Sequence, residues 1–210
     1  MPLFRSSALH TKLRRELWQM RGQMLAIALV IAGGVAVCLL SLVNYASLVT
    51  TRDQYYQDHQ FADVFVVLTR APRQVLQRLA EIPGVTGLSG RVEGVAKLEV
   101  RGFSDPVSAR LVSLPAGGQP DVNRLYLRHG RLPDASRSDE VAVIGSFAEA
   151  HDLQLGERLS AIINSRRQSL TLVGIVESAE FIYVIPPGGM LPDYERYGVL
   201  WMTQEALASA

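Results

Sequence analysis

The pattern of apolar and charged positions divides the chain near residue 50. From Gly22 to Thr51 the sequence runs 30 residues without Asp, Glu, Lys, Arg or His. Met24 to Val43 supplies 20 of them, with Ser41 as the only hydroxyl. A hydrocarbon core of about 30 Å needs about 20 apolar residues in a helix. Because a helix satisfies its own backbone hydrogen bonds in lipid, the pattern predicts a transmembrane helix over residues 23–49.

A cleaved signal peptide is the main alternative to a permanent anchor. The apolar region of a signal peptide is normally about 7–15 residues long and precedes a small-x-small cleavage site. Here the apolar run is longer, and Asn44-Tyr45-Ala46 is a poor cleavage site. We therefore predict an uncleaved anchor.

The charges on the two sides of the predicted span differ in sign. Residues 1–21 carry five basic residues and one acidic residue, whereas residues 52–63 carry one basic and three acidic residues. An excess of Lys and Arg marks the cytoplasmic side of a span. The sequence thus predicts a cytoplasmic N-terminus and a segment outside the cytoplasm after about residue 50. In a bacterium with two membranes, this means the plasma (inner) membrane and a periplasmic segment.

The N-terminal arm, residues 1–22, has the pattern of a basic amphipathic helix. Leu9, Leu13, Leu17 and Met20 recur at helical spacing, Trp18 lies beside them, and basic residues lie between. Such helices commonly lie in the headgroup layer of the lipid bilayer. We take Leu13, Leu17 and Trp18 as candidate interfacial residues. The alternative is an ordinary positively charged flank with no further role.

Small residues recur on one side of the predicted span. Ala28, Ala32 and Ala36 are four residues apart, so they share one helix face. Small residues let membrane helices approach closely, which makes these three alanines candidate helix-packing residues. The alternative is that alanine is simply common in apolar helices.

The rest of the chain, residues 50–210, is long enough for one ordinary domain or two small ones. Its pattern of strands and helices predicts the α+β class. The transmembrane helix is expected to continue outward as a stalk to about residue 60. A strand over 62–68, a helix that begins near Pro72 and ends at Pro83-Gly84, and a strand over 92–100 together predict a βαβ unit, which would be right-handed if its strands pair in parallel.

Short strands dominate the later part of this region. We predict strands over 107–114, 141–144, 158–163, 169–176, 181–185 and 198–202, and a helix over 146–151. The strands over 158–163 and 169–176 are expected to form a hairpin. Thr203 is a predicted N-cap, and only seven residues follow it, so we expect the domain to be incomplete at its C-terminus.

The composition excludes several kinds of chemistry. Lys and Arg total 21 against 20 Asp and Glu, which argues against a nucleic-acid partner, and the single cysteine excludes an intramolecular disulfide. No P-loop motif is present, and the four histidines lack metal-ligand spacing. Asp139-Glu140 and the pair Glu177 and Glu180 could in principle perform acid–base work. We predict no catalytic residue, cofactor-binding residue or metal site.

Several short motifs in a fixed order resemble those of one family. They are Leu79-Ala80-Glu81-Ile82-Pro83-Gly84-Val85, Gly130-Arg131-Leu132-Pro133, Asp139-Glu140-Val141-Ala142-Val143, Ala148, Leu153, Leu155-Gly156-Glu157 and Leu172-Val173-Gly174-Ile175-Val176. With the basic arm and the single span, this order resembles the N-terminal part of an ABC transporter permease of the MacB/FtsX-like family. The resemblance covers nearly the whole chain and includes the family's periplasmic core domain. Glu157 departs from the more usual aspartate.

The resemblance implies a mechanotransmission protein, in which a cytoplasmic ABC ATPase moves the membrane helices and thereby the periplasmic domain. It implies as partners the ATPase subunit, further permease helices or a second permease copy, a periplasmic adaptor protein and the lipid bilayer. The family has four transmembrane helices, so the chain is expected to be a fragment, a truncated frame or half of a split gene. Two alternatives are a single-pass periplasmic sensor or scaffold, and an anchored hydrolase that uses Glu140 or Glu177.

Overall fold

The structure is a computed structural model that describes residues 5–210. It separates into two compact units, Met1–Gln54 and Tyr55–Ala210. We call the second unit the sheet domain. The first four residues of the predicted arm lie outside the described residues.

Two helices make up most of the N-terminal part of the chain. Helix α1 spans Arg5–Gln19, and helix α2 spans Arg21–Asp58. At 38 residues, α2 is about 57 Å long, which is nearly twice the hydrocarbon thickness of a membrane. Among residues 5–210, α2 is the one helix long and apolar enough to cross a membrane. The predicted stalk is confirmed, since the helix runs without a break from the uncharged stretch to Asp58.

The sheet domain contains seven strands with short helices between them. The strands are β1 Glu93–Glu99, β2 Val107–Leu114, β3 Tyr126–Gly130, β4 Glu140–Ile144, β5 Arg158–Ile163, β6 Arg166–Glu177 and β7 Tyr197–Thr203. The helices are α3 Arg73–Ala80, α4 Gly145–Ala150, α5 Gln204–Ser209 and a 3₁₀ turn at Ala179–Phe181. The predicted α+β class is confirmed.

The sheet closes on itself. Its strand order is β3-β6-β4-β7-β2-β1-β5, and β5 pairs with β6 as well. Six strands therefore form a ring, and β3 is attached outside it on β6. The pairs β2–β7 and β4–β6 are parallel, whereas the others are antiparallel. Every residue of β4 and β7 is buried, and all six strands of the ring contribute residues to the core.

The predicted strand over residues 62–68 is wrong, and so is the βαβ unit that depended on it. The segment has no regular secondary structure, and the side chains of Val64, Val66 and Val67 are 71–86% exposed. Valine-rich segments become strands only when a neighbouring strand takes up their backbone hydrogen bonds, and no such neighbour lies among the described residues. Strand β1 pairs antiparallel with β2 and β5 instead.

The predicted strand over residues 181–185 is also wrong, and one strand was missed. Ser178 caps the 3₁₀ turn, because its hydroxyl oxygen accepts a hydrogen bond from the Glu180 backbone N–H. The chain then continues irregularly to the proline-rich loop. The missed strand β3 is exposed at all five positions, so it has no alternating apolar pattern by which to recognise it.

Two local predictions are confirmed in detail. Strands β5 and β6 form a hairpin, and its turn residues Asn164 and Ser165 have φ of 48° and 66°, as a two-residue type I′ turn requires. The Thr203 hydroxyl accepts a hydrogen bond from the Ala206 backbone N–H at 3.3 Å and so caps α5.

Candidate functional site

The candidate interfacial residues lie on α1 as an exposed apolar group. Leu13, Leu17 and Trp18 are 55%, 40% and 70% exposed. The Arg21 guanidinium lies over the Trp18 ring, 5.3 Å from its centre, so a cation and an aromatic ring lie together at the start of α2. This combination suits the boundary between headgroups and acyl chains. The interfacial role itself stays a prediction.

Trp18 offers a direct test of that role. The chain has two tryptophans, and Trp201 is 3% exposed in the sheet domain. In a Trp201→Phe background reconstituted into vesicles, we expect lipids brominated near the headgroup to quench Trp18 fluorescence. The matched Trp18→Phe chain reports Trp201 alone and should be quenched far less. Quenching of Trp18 by aqueous iodide but not by brominated lipid would contradict the prediction.

The candidate helix-packing residues lie on a helix none of whose residues is buried. Ala28, Ala32 and Ala36 are exposed on α2. A side chain built at Gly33 or Gly34 would meet nothing within 4 Å. Ser41 donates its hydroxyl hydrogen to the Val37 carbonyl oxygen at 2.9 Å, so its polar group is satisfied within the helix. The packing role of the alanines stays a prediction.

The Gly-Arg and Asp-Glu motifs meet in the sheet domain as a buried carboxylate clasp. Arg131 follows β3 and Glu140 begins β4, and the Glu140 side chain is 2% exposed. Arg131 donates to both carboxylate oxygens at 2.5 and 2.6 Å, and the Asp134 backbone N–H donates to one of them at 3.0 Å. The Arg137 Nε lies 3.2 Å from Glu140 Oε1. We call this group the Glu140 clasp.

The electrostatics of the Glu140 clasp favour the ionised carboxylate. Hydrogen bonds from Arg131 lower the pKa of Glu140 below the ordinary glutamate value, although burial opposes them. The Asp134 N–H and the charges of Arg131 and Arg137 lower it further. A carboxylate with all these partners is held in place and kept charged, which suits a structural tie better than proton transfer.

Two glycines allow the strand pairing beside this clasp. Gly130 pairs with Gly174 across β3 and β6. A Cβ at Gly130 would lie 2.2 Å from the Val173 carbonyl oxygen, and one at Gly174 would lie 2.2 Å from the Arg131 carbonyl oxygen. Gly130 has φ of 79°, a conformation that other residues rarely adopt. The close approach of the β3 and β6 backbones therefore explains why glycine occupies positions 130 and 174.

The clasp predicts a stability that falls in acid. The pKa of Glu140 is lower in the folded chain than in the unfolded chain, so its contribution is present above the unfolded value of about 4.3 and is lost as pH falls through the folded value. We expect Glu140→Gln to be less stable than the parent chain at pH 7, and the difference to shrink towards pH 3. Urea unfolding at several pH values measures it. Glu99→Gln, which removes a more exposed ion-pair partner, is the control, and a pH profile of Glu140→Gln parallel to that of the parent would contradict the prediction.

The other candidate acid–base carboxylates also have arginine partners. Glu177 lies 3.0 Å from Arg128, and Asp139 lies 3.4 Å from Arg137. Arg128 also pairs with Glu149 at 2.7 Å. Glu180 forms a bidentate pair with Arg91. Within residues 5–210, no group of three or more His, Cys, Asp or Glu side chains could hold a metal ion.

Two cavities of the sheet domain are small and open. One, of about 170 Å³, lies beside α4 and β3, and the other, of about 270 Å³, lies beside the ends of β1 and β5. Sites for small molecules usually have about 300–1,000 Å³ and enclose their ligand. Both cavities are smaller than such sites.

Sequence reasoning found the residues of the clasp but not their contact. In the sequence, Arg131 and Glu140 belong to two separate motifs, and Glu140 is also a candidate acid–base carboxylate. Neither pattern indicates that the two side chains pair. Asn123, which contacts both Ala62 in the segment after α2 and Glu180, was missed altogether. An isolated asparagine in a loop carries no sequence signal apart from its tolerance of positive φ.

No protein-family model and no curated protein matches the chain. Two solved structures match part of the chain. One is the extracellular domain of the noncanonic ABC-type transporter YknZ from Gram-positive bacteria, with a TM-score of 0.39 and 15% identity over 66% of this chain and 65% of that chain. The other is the periplasmic region of MacB from Actinobacillus actinomycetemcomitans, with a TM-score of 0.40 and 16% identity over 68% of this chain and 59% of that chain. The chain thus spans less than two thirds of either solved chain.

Proposed function

We propose that the chain is the permease subunit, or part of the permease subunit, of an ABC transporter in the bacterial inner membrane. The observation that carries the proposal is helix α2, which runs unbroken from an uncharged stretch of membrane-spanning length to the sheet domain. The basic arm before α2 and the order of the motifs after it support the same function. In this function the sheet domain lies outside the cytoplasm.

The proposed mechanism is mechanical. A cytoplasmic ATPase closes on ATP, and α1 meets it at the headgroup layer through Leu13, Leu17 and Trp18. Further permease helices, or a second permease copy, pack on the face of Ala28, Ala32 and Ala36. Because a helix resists compression along its axis, displacement at its membrane end reaches Asp58. The sheet domain then acts on a substrate or on an adaptor protein for export, efflux or lipoprotein handling.

We propose no catalytic role for this chain. Glu140 is held by arginines and a backbone N–H, and Glu177 is paired with Arg128. General acid–base catalysis by a glutamate needs a carboxyl group free to exchange a proton with a substrate. These ion pairs favour a structural use of the carboxylates.

Photo-crosslinking in cells tests the proposed partner. A photoreactive amino acid at Leu17 should capture a protein with a P-loop, and the capture should depend on ATP. The matched control is the same amino acid at Leu40, in the middle of the uncharged stretch, from which we expect lipid and helix products without an ATPase. If position 17 yields no P-loop protein above the level of position 40, the permease function is contradicted.

A single-pass sensor or scaffold is the second candidate function. It is favoured by the sheet domain, which is a compact unit with its own closed ring of strands and its own core. This function requires residues 55–210 to be stable alone. A cooperative melting transition of that fragment would favour it, whereas aggregation would favour the permease.

A further inference from the structure

The chain that follows α2 is fastened to the segment before β3. The Asn123 backbone N–H donates to the Gln60 carbonyl oxygen at 2.9 Å, and the Arg124 N–H donates to the His59 carbonyl oxygen at 2.8 Å. The Ala62 N–H donates to the Asn123 side-chain oxygen at 2.9 Å. Gln60 and Asn123 both have positive φ, of 48° and 57°, so both segments turn sharply where they meet.

Aromatic rings pack around the same point. The His59 ring lies 4.2 Å from the Tyr55 ring and 6.2 Å from the Tyr126 ring, measured between centres. The Tyr56 ring stacks on Phe61 at 4.6 Å. Ring pairs at these distances stabilise a contact beyond the area they bury. The segment that directly follows α2 is thus held to the start of β3 by the ring contact between His59 and Tyr126 as well as by backbone hydrogen bonds.

The side chain of Asn123 also contacts a network of ion pairs. Its side-chain N–H donates to Glu180 at 3.5 Å, and Glu180 is paired with Arg91. Arg91 lies 2.8 Å from Glu93 on β1, and Arg110 on β2 donates to Glu93 at 3.0 Å. The side chains of Arg91, Glu93 and Glu180 are 24%, 28% and 13% exposed, so solvent screens this network less than a surface pair.

We propose that Asn123 is a positioning residue that joins the segment directly after α2 to strands β1 and β2, so that this segment and the sheet move as one body. The side-chain oxygen of Asn123 accepts a hydrogen bond from the Ala62 N–H, and its side-chain N–H donates to Glu180. One amide group therefore contacts both the segment after α2 and the ion-pair network. Use of this joint to pass motion from the membrane rests on the proposed function. The joint itself is a property of the sheet domain.

Hydrogen exchange on the full chain in nanodiscs tests the joint. Asn123→Ala should speed amide exchange at residues 62 and 124 by about tenfold, because a hydrogen bond and its neighbours are lost, while amides of β7 stay protected. Asn123→Gly, which keeps the positive φ, should speed exchange at residue 62 and leave residue 124 closer to the parent. Asn164→Ala removes another positive-φ asparagine, in the β5–β6 turn, and should leave residues 62 and 124 unchanged.

A distance measurement tests whether the two parts move together. In a Cys38→Ser background, spin labels at Gln57 and Lys97 should give one narrow distance distribution, and Asn123→Ala should broaden it. Neither measurement needs an ATPase, so failure of the transporter function would leave both results intact. Unchanged exchange at residue 62, or an unchanged distance distribution, would contradict the proposed joint, independently of the function of the protein.

Discussion

Gly130→Ala is expected to lower the free energy of unfolding of the sheet domain by roughly 3 kcal/mol, from steric overlap plus backbone strain. The new methyl group would lie 2.2 Å from the Val173 carbonyl oxygen. That oxygen accepts the Arg131 backbone hydrogen bond, so it cannot withdraw freely. Positive φ at residue 130 adds strain for any residue with a Cβ. Urea unfolding followed by Trp201 fluorescence, in a Trp18→Phe background, measures the loss.

Two other glycines separate the causes of that loss. Gly156→Ala meets positive φ of 85° without any atom within 4 Å, so it isolates strain and should cost about 1 kcal/mol. Gly117→Ala meets neither obstacle and should change the stability little. If Gly130→Ala costs no more than Gly156→Ala, the close approach of β3 and β6 is not as described.

Arg131→Met is expected to destabilise the sheet domain by about 3 kcal/mol at pH 7, the usual cost of leaving a buried charge without its partner. Methionine keeps much of the length of the arginine side chain but removes both hydrogen bonds to Glu140. The carboxylate is then left with the Asp134 N–H and the longer contact to Arg137. Because protonation relieves an unpaired carboxylate, the destabilisation should shrink in acid.

The matched control for this variant is Arg167→Met. Arg167 pairs with Glu99 at 2.6 Å, but the two side chains are 68% and 47% exposed. Exposed ion pairs contribute about 0–1 kcal/mol, so this substitution should cost little at any pH. Equal losses for the two variants would show that Glu140 is solvated, against its 2% exposure in the structure.

The parts of the fold that depend on neighbouring residues could be predicted from the sequence. The span and its stalk follow from 30 uncharged residues and an absence of helix-breaking residues beyond them. The β5–β6 hairpin and the Thr203 cap each depend on a few adjacent residues, and both are present. In these elements the interactions that decide the structure lie within one helix turn or one tight turn.

The parts that depend on distant residues could not be predicted in this way. Residues 62–68 have strand-forming composition, but the outcome depends on a partner strand that the segment itself does not specify. The ring of strands requires β1 to meet β5 and β2 to meet β7, pairings that no local pattern encodes. For the same reason the contact between Arg131 and Glu140 and the role of Asn123 became visible only in three dimensions.

In the proposed topology, α2 crosses the membrane once and the sheet domain lies outside the cytoplasm. In a Cys38→Ser background, single cysteines at Lys12 and at Lys97 can be treated with a membrane-impermeant maleimide, in intact spheroplasts and after lysis. We expect labelling at position 97 in intact spheroplasts, and labelling at position 12 only after lysis. Labelling of position 12 in intact spheroplasts, with position 97 protected until lysis, would contradict it.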